Sequence, residues 1–346
     1  MLFFSRYEIE IPNVDVLTYL FRSSAIRNDG FVFLDAENPT DGISKEQLEE
    51  RVKRLAGGLR KTIGLQKNDV VLAFTENSIG YPVIVLAAIC AGGVFTGASP
   101  VYTSMAELTR HLQTSGAKCI FTDLQRLDTA VQAANIVGLP ETSIVLVDQT
   151  SETKPYGYHG IYGLLDVVYS WEVIHDREVS NPSLTNFRTA VLNFSSGTTG
   201  DPKACMITHR NLVANSEQQL YLDNVASSRS PDSKRTPPRI HCAFLPLYHA
   251  SGLITYCIMN VRSYCTTAIM RKFNLKLFLD TIQRLHVTDL LLAPPVVLML
   301  TKSDIISQYD LSSVELMFCG GASLQPDLSK KLEAVFNSGK VHLRQG

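Results

Sequence analysis

Between Thr189 and Asn211 the chain reads TAVLNFSSGTTGDPKACMITHRN, and this stretch holds the side chains best suited to chemistry. Ser195, Ser196, Gly197, Thr198, Thr199 and Gly200 place four hydroxyls and two glycines in six consecutive positions. Glycine lets a ligand approach the main chain closely. Successive backbone N–H groups in such a turn form a concave anion site, and hydroxyls add further donors. Asp201-Pro202 then turns the chain, and Lys203 supplies a point charge suited to phosphate oxygens. Ala190, Val191 and Leu192 before the loop read as a buried strand, and Ile207 to Leu212 leads into a helix. The expected local order is therefore strand, phosphate loop, lysine, helix. The common P-loop is a different string, because Pro202 separates the last glycine from Lys203 and no Ser or Thr follows the lysine. A Ser/Thr/Gly run alone is most often a solvated turn, so the residues around it carry the weight.

Three more clusters have chemistry to offer. Leu245-Pro246-Leu247-Tyr248-His249-Ala250-Ser251-Gly252 breaks a strand with proline and presents an aromatic and an imidazole. Arg271-Lys272-Phe273 puts two cations after an apolar strand. Gly320-Gly321-Ala322-Ser323 is a tight turn in which Ser323 could cap the next helix. Taken singly, these read as a core histidine, a solvated edge and a structural cap.

Together the strings resemble the adenylate-forming superfamily, which includes acyl- and aryl-CoA ligases, firefly-type luciferases and the adenylation domains of peptide synthetases. SSGTTGDPK with ITHRNL resembles its phosphate loop, although Ala204 and Cys205 stand where the family usually has Gly and Val. GGVFTGASPVYT followed by AELTRHLQTSGAK resembles the coumarate–CoA ligase branch. The resemblance implies that Ser195, Ser196, Gly197, Thr198, Thr199, Gly200 and Lys203 hold ATP phosphates. It implies that His249, with Ser251 and Gly321, shapes the acid pocket, and that Gly321, Ala322, Gln345 and Gly346 lie against the nucleotide. Lys272 matches the lysine that meets CoA, while Arg271 replaces a proline and Ser323 another. Ser251 stands where coumarate-type members often carry an aromatic, which implies a roomier or differently shaped pocket. Lys203 and His249 are the catalytic candidates, and no metal ligand is assigned within the chain.

The implied reaction has two steps. A carboxylic acid and ATP with Mg²⁺ give an acyl-adenylate and pyrophosphate, and the thiol of coenzyme A then gives the thioester and AMP. Gln345-Gly346 resembles the start of a longer family segment, QGYGMTE. In the family the Tyr, Thr and Glu of that segment meet adenine, phosphate and Mg²⁺, and a mobile C-terminal domain brings a further lysine. The expectation is a truncated N-terminal domain of an adenylate-forming enzyme, impaired when alone. The alternatives are a non-catalytic nucleotide- or partner-binding remnant, a peptide-synthetase adenylation domain and a luciferase-like enzyme.

The bulk numbers agree with small-molecule partners. The 346 residues carry 32 basic and 33 acidic side chains, a net charge of −1, which argues against nucleic acid and polybasic membrane surfaces. Seven scattered cysteines without C-x-x-C read as buried thiols in a reducing compartment. No signal peptide or membrane span is evident, so an intracellular location, cytoplasmic or peroxisomal, is expected, although Arg344-Gln345-Gly346 is not a peroxisomal tripeptide. Oligomeric state is open.

The elements that must position these residues follow a βα rhythm. Residues 5 to 20 read as an entry strand, a turn and a helix start. Ser44 to Ile63 is an amphipathic helix with Leu48, Val52, Leu55, Ala56, Leu59 and Ile63 on one face, and a capping box at Ser44 and Gln47. Strands at Val70–Phe74, Gly93–Gly97, Lys118–Thr122 and Ser143–Val147 alternate with helices at Gly80–Cys90, Ser104–Gln113 and Leu127–Ile136. A second capping box is expected at Ser104 and Glu107, and a short helix at Ile161–Tyr169. Residues 226–239 read as an exposed loop. A second series has strands at His241–Leu245, Thr266–Met270, Val287–Ala293, Leu316–Cys319 and Val341–Leu343, with helices at Leu253–Asn260, Leu275–Leu285 and Leu324–Phe336. Apolar strands alternating with helices give an α/β fold of mostly parallel sheets covered by helices. Two βα subdomains are expected, residues 65–205 and residues 13–64 with 206–346, and such sheets bind ligands at the carboxyl ends of their strands.

Overall fold

The computed structural model describes residues 5, 7–22, 30–101, 104–148, 157–166, 187–195, 202–229, 239–336 and 341–345. Its strands are β1 (Phe31–Asp35), β2 (Gly42–Ser44), β3 (Val70–Phe74), β4 (Val94–Gly97), β5 (Ala117–Thr122), β6 (Ile144–Leu146), β7 (His159–Gly160), β8 (Thr189–Ser195), β9 (Lys203–Thr208), β10 (Ile240–Ala243), β11 (Thr266–Ile269), β12 (Asp289–Leu292), β13 (Leu316–Cys319) and β14 (His342–Gln345). The longer helices are α1 (Val16–Phe21), α2 (Lys45–Gly58), α3 (Tyr81–Cys90), α4 (Met105–Ser115), α5 (Leu127–Val137), α6 (Ile161–Leu165), α7 (His209–Arg229), α8 (Leu275–Leu285), α9 (Pro294–Lys302) and α10 (Pro326–Val335).

The strands form two seven-stranded sheets of order β14-β13-β12-β10-β11-β1-β2 and β7-β6-β5-β3-β4-β8-β9. Every pairing is parallel except at one edge of each sheet, where β2 runs against β1 and β9 against β8. Parallel strands need covering on both faces, and three apolar clusters supply it. One cluster joins α2 and α3 to residues of both sheets, such as Val71 and Phe95 on one side and Ala243 and Ile269 on the other. A second packs Phe278, Leu279 and Ile282 of α8 on the outer face of the β10–β14 sheet. A third packs Leu108 and Leu112 of α4 with Ala130, Ala133 and Ala134 of α5 on the outer face of the other. The order of layers is helix, sheet, helix, sheet, helix. Every residue of α3 is buried, because this helix lies between the two sheets; its apolar all-round sequence YPVIVLAAIC suits that place.

Local chemistry sets the element ends. The capping box at α2 forms in full: Gln47 N–H donates to Ser44 Oγ at 3.2 Å, and Ser44 N–H donates to Gln47 Oε1 at 2.9 Å. The box at α4 forms by half, with Ser104 Oγ accepting the Glu107 N–H at 3.3 Å. The structure departs from the sequence reading at several points. Residues 7–13 form no strand. The helix after Ser44 is α-helical to Gly58 and π-helical over Leu59–Ile63, and the one after Gly252 is π-helical over Leu253–Met259. Residues 226–229 continue α7 rather than opening a loop; residues 230–238 lie outside the described residues, as do 167–169 of the short helix. Gln325, not Ser323, occupies the N-cap of α10, whose first helical residue is Pro326.

Candidate nucleotide and acid site

Lys203 does not lead into a helix. It opens β9, which pairs back on β8 with Ser195 opposite Lys203, and the helix α7 starts only at His209. Ser195 and Lys203 therefore stand together at the exposed mouth of a hairpin. Ser196, Gly197, Thr198, Thr199, Gly200 and Asp201 lie outside the described residues.

Because β10 to β14 run parallel, their carboxyl ends emerge along one edge. The loop after β10 carries His249 and Ser251, and β11 is followed by Arg271 and Lys272. The turn after β13 holds Gly321 and Ala322, and β14 ends at Gln345. Gly321 sits at φ +88°, the left-handed region that glycine enters without steric cost. Gln345 Nε2 donates to Ser329 Oγ at 3.0 Å, which fixes the end of β14 beside α10. Gly346 lies outside the described residues.

The two sheets meet through these ends. Asn193 of β8, two residues before Ser195, donates from Nδ2 to Tyr248 O at 3.1 Å. Ser99, just past β4, donates from Oγ to the Tyr248 hydroxyl at 3.1 Å. Asn77, past β3, bonds Leu245, Leu247 and Met270. Close approach here depends on Gly97, where a Cβ would sit 2.7 Å from Tyr248 Cβ and 2.6 Å from the Tyr81 hydroxyl.

His249 follows from this loop. Its backbone N–H donates to Pro246 O at 3.2 Å, and its ring lies 4.5 Å from that of Tyr248. His249 is exposed at the surface, yet partial burial of its imidazole lowers the pKa below the ordinary value, favouring the neutral ring.

Lys272 does not stand alone. The Glu76 carboxylate, 5% exposed, takes Lys272 Nζ at 2.7 Å and Arg126 Nη2 at 2.6 Å on one oxygen, and Arg271 Nε at 2.6 Å on the other. Burial raises the Glu76 pKa, but hydrogen bonds from Lys272, Arg271 and Arg126 outweigh it and hold the carboxyl at about 2. Arg126 also bonds Asp123 at 2.7 Å, so three cations face two carboxylates. The surplus positive charge lies on the Arg271 and Lys272 side chains, which reach solvent.

Sequence motifs point to His249, Lys272 and the hairpin ends but pass over Glu76, Asn77, Ser99 and Asn193. The signal for the first two is position: polar residues directly after the buried strand VVLAF fall at a carboxyl strand end. Among the described residues no group of three or more His, Cys, Asp or Glu could hold a metal ion, and no helix is long and apolar enough to cross a membrane.

Comparison with known proteins bears on family and fold. The family model for AMP-binding enzymes matches residues 23–346. The 4-coumarate–CoA ligase 3 of Arabidopsis thaliana is 31% identical over 332 residues, covering 94% of this chain and 54% of the relative. The phenylacetyl-CoA ligase epaB of Aspergillus niger is 29% identical over 337 residues, covering 97% of this chain and 60% of the relative. The chain thus spans about 60% or less of the length of these relatives. In fold it is similar to the luciferase-like enzyme of the nonluminescent mealworm Zophobas morio, with a TM-score of 0.79 at 22% identity, covering 98% of this chain and 73% of that one. It is likewise similar to ATP-bound MatB of Rhodopseudomonas palustris, with a TM-score of 0.75 at 24% identity, covering 96% and 59%. With a family model matched from residue 23 to residue 346, two mostly parallel sheets and the SSGTTGDPK sequence joining β8 to β9, the chain belongs to the AMP-binding enzyme family.

Proposed function

We propose that this chain carries the nucleotide- and acid-binding part of an acyl- or aryl-CoA ligase, which joins a carboxylic acid to ATP and then to coenzyme A. The observation that carries the reading is the bond from Asn193 to Tyr248 O. It ties the strand entering the Ser195–Lys203 hairpin to the residue before His249, so a phosphate site and an acid pocket would face each other. Attack of a carboxylate on the α-phosphate brings two anions together and develops charge on the phosphorane oxygens. Positioned donors and a fixed cation lower that barrier most. Lys203 and the hairpin N–H groups would bind the leaving phosphates. His249, neutral at pH 7, would orient the acid beside Ser251 and Gly321 without drawing its carboxylate into an ion pair. Gly321, Ala322 and Gln345 would lie along the adenine, and Lys272 would meet a CoA phosphate. Mg²⁺ would neutralise phosphate charge when bound.

The pocket would take a carboxylic acid of aryl or medium-chain type. Turnover by this span alone is expected to be slow, because the curated relatives extend well beyond the share of their length it covers. The test is ATP–pyrophosphate exchange with a panel of aryl and medium-chain acids. It is run on the 346-residue chain and on the same chain extended by the C-terminal part of a coumarate–CoA ligase. The reading predicts exchange in the extended protein, abolished by Lys203→Ala, and little in the shorter one. No exchange in either, or exchange indifferent to Lys203→Ala, would contradict it.

A further inference from the structure

Asn77 sits where three strand ends come together. It follows β3, is 7% exposed, and uses both ends of its carboxamide. Oδ1 accepts the Leu247 N–H at 3.0 Å, while Nδ2 donates to Leu245 O at 3.0 Å and to Met270 O at 3.4 Å. Leu245 and Leu247 bracket Pro246, which has no N–H of its own, in the loop that presents His249. Met270 directly precedes Arg271 and Lys272. Leu247 and Met270 are fully buried, so no water can take over their backbone groups if the carboxamide is lost. The backbone N–H of His249 bonds within its own loop, to Pro246 O, so the ring's place is inherited from the loop's.

We propose that Asn77 is a positioning residue for substrate binding: its carboxamide sets the 245–249 loop, and with it His249, against the carboxyl end of β11. The inference rests on the reading that His249 lines the acid pocket. A short group with both a donor and an acceptor is required. Aspartate would keep the contact to Leu247 N–H but set a negative oxygen against two carbonyls, and alanine would leave all three backbone groups unpaired.

The test titrates the full chain with two probes, AMP and an N-acyl sulfamoyl-adenosine carrying an aryl acid, and records Tm for each variant. Ile282→Ala, in the packing beneath α8 on the far face of the β10–β14 sheet, serves as a reference of lowered stability. Asn77→Asp is expected to weaken the acyl probe about ten-fold or more while AMP changes by less than about two-fold. Asn77→Gln keeps donor and acceptor on a longer stem and is expected to show the same selective loss to a smaller degree. Ile282→Ala is expected to lower Tm without that selectivity. Wild-type affinity for the acyl probe in Asn77→Asp, or equal loss of both probes matching that of Ile282→Ala, overturns the proposal. His249→Ala separates the two levels. If it weakens the acyl probe while Asn77→Asp does not, the pocket reading stands and the positioning role falls. If it leaves the acyl probe unchanged, the pocket reading falls and takes the positioning role with it.

Discussion

Asn193 and Tyr248 are 55 residues apart in sequence and joined by one hydrogen bond of 3.1 Å, from the side chain of one to the backbone of the other. Asn193 belongs to β8, which leads into Ser195; Tyr248 precedes His249. The same Tyr248 bonds Ser99 and packs against Gly97, so two neighbouring segments of one sheet, β8 and the end of β4, define the position of a loop from the other.

Gly97→Ala tests how tightly that loop is held. The added methyl would meet Tyr248 Cβ at 2.7 Å and the Tyr81 hydroxyl at 2.6 Å, and both neighbours are well packed. A loss of about 1–3 kcal/mol in denaturant unfolding is expected, as for other overpacked sites. Weaker binding of an acyl-adenylate mimic should accompany it. Unchanged stability and affinity would mean that the Tyr248 loop yields freely.

Two buried imidazoles predict acid sensitivity. His111 stacks on Phe194 with ring centroids 3.7 Å apart and meets Thr96 Oγ1 at 3.0 Å through Nε2. His209 Nδ1 accepts the Val16 N–H at 3.3 Å, a bond that a protonated ring cannot accept. Burial pushes both pKa values down to about 4, and for His209 Asp15 opposes the shift and Arg188 adds to it. The folded values lie below the unfolded value of 6.5, so the unfolded chain takes up protons first. Stability should be full above pH 6.5 and fall as pH drops from 6.5 through about 4, by up to about 3 kcal/mol for each ring. Urea midpoints measured from pH 7.5 to pH 4 check this, with a shallower slope expected for His111→Phe. A flat profile over that range would contradict it.

Glu76 should contribute in a lower window. Its folded pKa of about 2 lies below the ordinary 4.5, so its stabilisation is complete above pH 4.5 and is lost as pH falls through 2. Glu76→Gln is expected to cost about 2 kcal/mol at pH 7, less than a fully buried pair because Arg271 and Lys272 can turn to solvent. The gap between wild type and variant should hold from pH 8 to pH 5 and narrow below pH 4.5. No gap at pH 7 would show that the three cations do not depend on this carboxylate.

The sequence was informative where local pattern decides structure. VVLAF, LKLFLDTIQRL and LMFC carry their period and end signals within themselves, and β3, α8 and β13 have the bounds those signals predict. Lys203 was harder to place. The residues after it, ACMIT, are short and mixed, and become a strand only because β8 lies alongside. β1 and β2 likewise depend on pairing with β11 and with each other, across more than 200 residues in the first case. His249, Lys272 and Gly321 stand out in the sequence as candidates because resemblance marks them. The bonds of Asn77 and Asn193 do not stand out, since they cross between sheets and no local spacing encodes an inter-sheet bond, and Glu76 is marked only as a polar residue after a buried strand.

The most direct test of the central claim is calorimetric titration of the wild-type chain, Lys203→Ala and His249→Ala with ATP and with an aryl-acyl sulfamoyl-adenosine. If Lys203 holds phosphates and His249 shapes the acid pocket, Lys203→Ala should lose ATP affinity about ten-fold or more while keeping the acyl probe. His249→Ala should show the reverse. Parallel loss of both ligands in both variants, or no loss in either, would contradict the assignment of the two sites.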